Sequence, residues 1–277
     1  MSVSLMQGPP ATQERPPNFV LVFLDDSGWS DTSAYGQKAY QTPNIDRLAR
    51  EGNRFTNFYV PQAVCSASRA ALMTGSYPTR VGISGALGPA ARIGINDSER
   101  LLPEILKTRG YATGIFGKWH LGAAPQFLPT RHGFDEYFGI PYSNDMTPTP
   151  LMDGEKALRE MTQADRDDET TMLTEHAVQF IDRNKDRPFF LYVPHNMPHV
   201  PLAVSSKFKG KTGRLYSDVM LEIDWSVGQI AEALKRNGVD DRTLFMFSSD
   251  NGPWLILDAS GASRTLRSAA PEYRHGR

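Results

Sequence analysis

Four short runs, residues 19–24, 112–116, 189–193 and 244–247, are almost wholly apolar. None alternates polar with apolar side chains. That is the habit of strands covered on both faces, as in a largely parallel sheet. Helical patterns lie between them. Thr42-Pro43 supplies an N-cap and a first-turn proline, Ile45, Leu48 and Ala49 form an apolar stripe, and Gly52 ends it. Leu101, Leu102, Ile105 and Leu106 line a second helix, closed by Gly110. The longest spans about 215–235, with Val219, Ile223, Val227, Ile230 and Leu234 on one face. Alternation of this kind predicts an α/β fold, a doubly wound, largely parallel sheet with helices on both faces. Residues 141–168 show no period and read as an irregular excursion over one edge of the sheet.

Composition removes whole classes of function. Thirty basic residues against 31 acidic ones leave a net charge of −1, unlike a nucleic-acid binder or a polybasic membrane-surface protein. Any anion handled here is held by a local cluster. No apolar run approaches the ~20 residues of a membrane span. Residues 1–17 are polar, contain Pro9, Pro10, Pro16 and Pro17, and read as a flexible tail without the apolar stretch of a secretory signal. The chain as written is therefore expected in the cytoplasm, or exported if a signal lies outside it. A single cysteine, Cys65, excludes an intrachain disulfide.

The chemistry collects where the strands end. The first run is followed by Asp25-Asp26, the second by Gly117-Lys118-Trp119-His120, the third by His195 and His199, and the fourth by Ser248-Ser249-Asp250-Asn251-Gly252. Ligands of open parallel sheets bind beyond the carboxyl ends of the strands, so all four clusters are expected on one edge. Asp25, Asp26, Asp250 and Asn251 together make an all-oxygen set suited to a hard divalent ion, Ca²⁺ or Mg²⁺; without a cation three close carboxylates would repel. Cys65 opens a segment that looks helical from Ser68 onward. A helix start beside Arg69 is electropositive and would activate a sulfur there.

Cys65-Ser66-Ala67-Ser68-Arg69 through Thr74-Gly75 resembles the signature of type I, formylglycine-dependent sulfatases, in which the cysteine becomes Cα-formylglycine. Gly110-Tyr111-Ala112-Thr113 through Gly117-Lys118-Trp119-His120 resembles their second signature. Leu24-Asp25-Asp26-Ser27-Gly28-Trp29 and Ser249-Asp250-Asn251-Gly252-Pro253 resemble their two metal-binding segments. The similarity covers roughly 17–253, in order, and is nearest the arylsulfatase and N-acetylgalactosamine-6-sulfatase branch. It implies an alkaline-phosphatase-like fold and hydrolysis of small-molecule or carbohydrate sulfate esters. Asp25, Asp26, Asp250 and Asn251, completed by the modified Cys65, would hold one divalent cation, with Ca²⁺ favoured over Mg²⁺. Arg69 would orient the modified residue, Lys118 would contact the sulfate, and His120 would be the base. His199 matches better than His195 as the acid for the leaving alcohol, and Ser143 would support the formylglycine. His132, His176 and His275 match no site position.

Two departures stand out. The proline usual two residues after the cysteine is Ala67, which bears on recognition by the formylglycine-generating maturation enzyme. Beyond Pro253 the family's glycine-rich stretch, sulfate-binding lysine and C-terminal subdomain have no counterpart. No lysine follows Lys235. The expected organisation is a tail (1–17), an incomplete catalytic domain (18–253) and an aberrant segment (254–277), read as a natural truncation, an incomplete fragment or, the favoured reading, the product of a shifted reading frame. Missing cover would leave a sheet edge bare. Two rival readings stay open: a phosphonate or phosphodiester hydrolase of the same superfamily, and a catalytically impaired remnant.

Overall fold

The structure is a computed structural model and describes residues 15–257 and 263–265. Most of the expected N-terminal tail, much of the 254–277 segment and His275 lie outside the described residues.

A seven-stranded sheet organises the molecule. Its strands are β1 (Asn18–Leu24), β2 (Ala112–Phe116), β3 (Glu136–Gly139), β4 (Pro150–Asp153), β5 (Lys156–Glu160), β6 (Phe189–Pro194) and β7 (Thr243–Ser249), in the order β5-β4-β3-β2-β6-β1-β7. The five strands from β3 to β7 in that order pair in parallel, while β4 and β5 form an antiparallel hairpin at one edge. All four apolar runs are central or adjoining strands of this set. Side chains alternate between two cores, as the pleat requires. Val20, Val22 and Leu24 of β1 join one cluster, and Leu21 and Phe23 join the other.

Helices cover both faces. On the first lie α1 (Pro43–Glu51), α4 (Gln163–Asn184) and α5 (Leu215–Arg236), through Ile45, Phe180 and Ile223 among others. On the second lie α2 (Cys65–Thr74) and α3 (Leu102–Lys107), through Ala70, Met73 and Leu106. The buried carboxylates of α5 hold neighbouring segments by their backbone. Asp224 accepts from the amides of Asn44 (3.0 Å) and Ile45 (2.9 Å), two of the donors that the start of α1 leaves without intrahelical partners. Asp218 accepts from Gly210 and Thr212, and Glu222 from Ser205. A Cβ on Gly228 would stand 2.7 Å from the Asn44 side chain, so α1 and α5 meet at a glycine.

The 141–168 segment is a correction. It contains β4, β5 and the start of α4 rather than irregular chain. β5 is exposed along its whole length and carries no apolar signal, while the first two turns of α4 are charged. The apolar residues of that helix, Leu173, Ala177, Phe180 and Ile181, come only later. β3 also lacked a recognisable pattern, and α2 begins at Cys65 rather than Ser68. A separate antiparallel ribbon pairs β8 (Leu255–Leu257) with β9 (Ser263–Thr265). Among the described residues no strand lies beyond β7, whose Leu244 is 53% exposed. No helix among them is long and apolar enough to cross a membrane.

Candidate active site

The carboxyl ends of β1, β2, β6 and β7 converge, and the register of the sheet fixes how. β1 runs between β6 and β7, with Leu24 beside Ser249, so Asp25-Asp26 and Asp250 leave the sheet side by side. The Asp250 amide donates to Leu24 O (3.0 Å) and the Asp26 amide to Asp250 Oδ1 (3.1 Å). Asp26 adopts a left-handed backbone, with φ 62°. Beyond β2 the chain turns at Gly117, φ 138°, where a Cβ would meet Pro194 O at 1.9 Å; only glycine lets the two strand ends approach this closely. That approach buries Lys118 fully, its Nζ donating to Asp25 and to Ser143 Oγ (3.2 Å).

Cys65 is the first residue of α2, half-buried, with Sγ 3.9 Å from Asp26 Oδ1. One turn on, Arg69 reaches back beneath it. Its guanidinium donates to Asp250 Oδ2 (2.9 and 3.2 Å) and to Lys118 O (3.2 Å), lies 3.3 Å from Asp25 Oδ1, and rests over the Phe23 ring. His120, also left-handed, is buried, with Nε2 3.0 Å from Leu87 O and Nδ1 unpartnered. His199 Nε2 lies 3.5 Å from Asp26 Oδ2 and 3.4 Å from Ser143 Oγ, and its ring meets Trp254 edge-on at 4.9 Å. A cavity of about 560 Å³ opens here, lined by Asp26, Cys65, His120, Ser143, His199 and Asn251.

All ten predicted site residues therefore stand around one place. The two candidate histidines are separated: His195 points to α5, its Nε2 3.2 Å from Ser226 Oγ, and burial pushes it down to about 4. His176 stacks on Phe138 at 4.0 Å and His132 stacks on Trp119, both away from the cavity. The cavity wall also contains Asp145, Met146 and Trp254, which lie in no recognisable motif and carried no sequence signal.

The electrostatics ask for a cation. One oxygen from each of Asp25, Asp26 and Asp250 can be chosen so that all lie within 4.8 Å of one another. Burial favours the neutral form of Asp25, but Lys118 and Arg69 prevail and hold it far below the carboxylate range. Burial, then the charge of Asp25, pushes Asp250 up to about 8 and raises Asp26 as well. Were all three carboxylates ionised, Lys118 and Arg69 would leave one net negative charge at this buried site, which a cation would offset. Asp25 Oδ1 and Asn251 Oδ1 are shielded from solvent without hydrogen-bond partners. Carboxylate and amide oxygens left unmatched beside crowded carboxylates fit a hard divalent ion.

The expected activation of the sulfur is corrected. Burial, followed by Asp25, raises the Cys65 thiol above its ordinary range despite Lys118 and Arg69. Burial, with the nearby carboxylates, outweighs the helix start when no cation stands beside the thiol.

The model of the Sulfatase family matches residues 17–271. The chain is 42% identical over 266 residues to human N-acetylgalactosamine-6-sulfatase, covering 87% of this chain and 51% of that protein. It is 37% identical over 281 residues to human arylsulfatase A, covering 91% and 55%. The chain thus spans about half the length of the curated relatives it matches. Among solved structures, Ps i-CgsB in complex with k-i-k-neocarrahexaose superposes with a TM-score of 0.78 at 34% identity, over 86% of this chain and 59% of that one.

Proposed function

The chain belongs to the sulfatase family, and from that premise we propose that it hydrolyses organic sulfate esters to an alcohol and inorganic sulfate, using residue 65 as Cα-formylglycine beside a bound Ca²⁺. One observation carries the reading: Asp25, Asp26 and Asp250 crowd about a point that Cys65, Lys118, Arg69 and His199 also face. A sulfate monoester, a monoanion, is matched by charge among these carboxylates only when a cation joins the set.

Asp25, Asp26, Asp250 and Asn251 would hold the ion, an all-oxygen set for which Ca²⁺ is the better match. When both groups are present, the ion supplies positive charge for the sulfate oxygens and hydrated formylglycine supplies a hydroxyl nucleophile. This chain's side chains do the rest. Arg69, anchored on Asp250, orients residue 65 from below. Lys118 balances charge on the sulfate while tied to Asp25 and Ser143. His199 Nε2, on the open side, gives a proton to the departing oxygen. His120, held neutral because burial, Lys118 and Arg69 all lower its pKa, is suited to take the second hydroxyl proton. That proton loss expels sulfate and restores the aldehyde.

The substrate class we infer is a sulfated carbohydrate. The neighbouring Ps i-CgsB was solved with an oligosaccharide and a close relative is named for an amino-sugar sulfate. The formylglycine-generating enzyme is the implied partner, acting on Cys65 with Ala67 two residues on. Mass spectrometry of the tryptic peptide 55–69 reads that conversion directly. In turnover of 4-nitrocatechol sulfate, Cys65→Ala is expected to abolish activity while leaving the thermal transition unchanged. Parent-level turnover by this variant would remove the nucleophile assignment.

A further inference from the structure

Helix α4 contributes no residue to the cavity lining, yet one turn of it grips both the loop that carries Ser143 and the turn that carries His199. The guanidinium of Arg166 donates to Asn144 O (2.5 Å) and to Thr149 Oγ1 (3.1 Å), fixing the loop that carries Ser143. Three residues on, on the same helical face, Glu169 Oε1 accepts from the Asn196 side-chain amide. Asn196 O in turn accepts from the His199 amide (3.1 Å), closing the turn that carries the imidazole. The two loops are also tied to each other, Asn144 Nδ2 donating to Pro201 O (3.4 Å). Their ends meet where Ser143 Oγ and His199 Nε2 stand 3.4 Å apart.

Glu169 is costly where it sits. It is 2% exposed, and its Oε2 has no hydrogen-bond partner. Burial pushes it up to about 7, against the opposing effects of Asn196 and Arg166. A leucine would pack this face of α4 at lower cost. What leucine could not do is accept from Asn196.

We propose that Glu169 is a positioning residue that, through Asn196, sets the His199 imidazole over the leaving oxygen of the substrate. The inference rests on the reading of His199 as the acid and specifies what holds it in place. Near an ångström of misplacement at a reacting group costs on the order of 10²-fold, so a support outside the cavity suffices to change the rate.

The test uses the matured full chain and two aryl sulfates, phenyl sulfate with a poor leaving group and 4-nitrophenyl sulfate with a good one. Glu169→Ala is expected to lower kcat on phenyl sulfate by roughly tenfold or more, and on 4-nitrophenyl sulfate by less than about threefold, because only the poor leaving group depends on the acid. Glu169→Gln, which keeps the acceptor oxygen, is expected within about threefold of the parent on both. His199→Ala provides the reference and is expected to show the same selectivity more strongly. If His199→Ala discriminates between the substrates while Glu169→Ala lowers both equally or neither, the proposal is overturned and the acid assignment stands. Equal losses in the Gln and Ala variants also overturn it. If His199→Ala shows no selectivity, or the parent turns over neither substrate, the underlying reading falls and takes the proposal with it.

Discussion

Asp25 and Asp250 are buried side by side with opposite tendencies, and the difference comes from who touches them. Asp25 has Lys118 and Arg69 within ion-pair distance, whereas Asp250 has Arg69 but faces the charge of Asp25. A consequence for pH follows. With Asp250 raised to about 8 in the fold and near 3.8 in the open chain, the folded state holds the extra proton between those values. The Asp250 contribution to metal-free stability should therefore fall as pH rises from about 4 to about 8. Urea melts in chelator at pH 5.5 and 7.5 check the sign, and added Ca²⁺ is expected to reverse it. A stability difference between the parent and Asp250→Asn that does not fall across that window would show that Asp250 is ionised throughout. Arg69 is the counterpart: Arg69→Gln leaves two buried carboxylates underpaired and is expected to cost about 3–5 kcal/mol in denaturant unfolding. These roles were legible as residue types at strand ends. The raised thiol of Cys65 was not, because it depends first on burial and then on how close Asp25 comes, and spacing in sequence carries neither.

Among the elements, α4 separates what a pattern reveals from what packing decides. Its N-terminus is marked by Thr162, whose hydroxyl accepts from the Asp165 amide (3.2 Å) while the Asp165 carboxylate accepts from the Thr162 amide (2.9 Å). Thr162→Ala should destabilise the chain by about 1 kcal/mol, read as a lower urea midpoint with unchanged slope. No shift would mean that the capping box contributes nothing. β1, β2 and β6 were legible because both of their faces are covered, which forces near-continuous apolar runs, and β7 carries a like run although it is only half-covered. The helix escaped notice because its first turns hold Arg166 and Glu169, charged residues that serve two loops rather than a core. The β4–β5 hairpin escaped for the opposite reason. One strand is fully exposed, and only the two-residue turn at Gly154-Glu155 gives it away, with φ 57° at Gly154.

Taken as a whole, the molecule shows a sheet with two unlike edges. One ends in β5, mostly polar and exposed along its whole length. The other is β7, half-covered, with Leu244 exposed and no further strand beside it among the described residues. An uncovered apolar edge pairs readily with another chain, so concentration-dependent self-association is expected in light scattering. Leu244→Lys should weaken it, and an equally associated variant would place the contact elsewhere. The doubly wound topology was legible from strand–helix alternation, and the convergence of four strand ends followed from it. The chain beyond β6 turns His195 toward α5 and, through the turn closed by Asn196 O and the His199 amide, brings His199 to the cavity.

The central claim is that these strand ends surround a single divalent cation opposite residue 65. Calorimetric titration of the metal-free chain with Ca²⁺ near pH 7.5 tests it most directly, alongside Asp25→Asn and Asp250→Asn. One ion bound per chain, with binding lost or greatly weakened in both variants, is the predicted result. Absence of binding by the parent, or binding that neither substitution disturbs, would contradict the account.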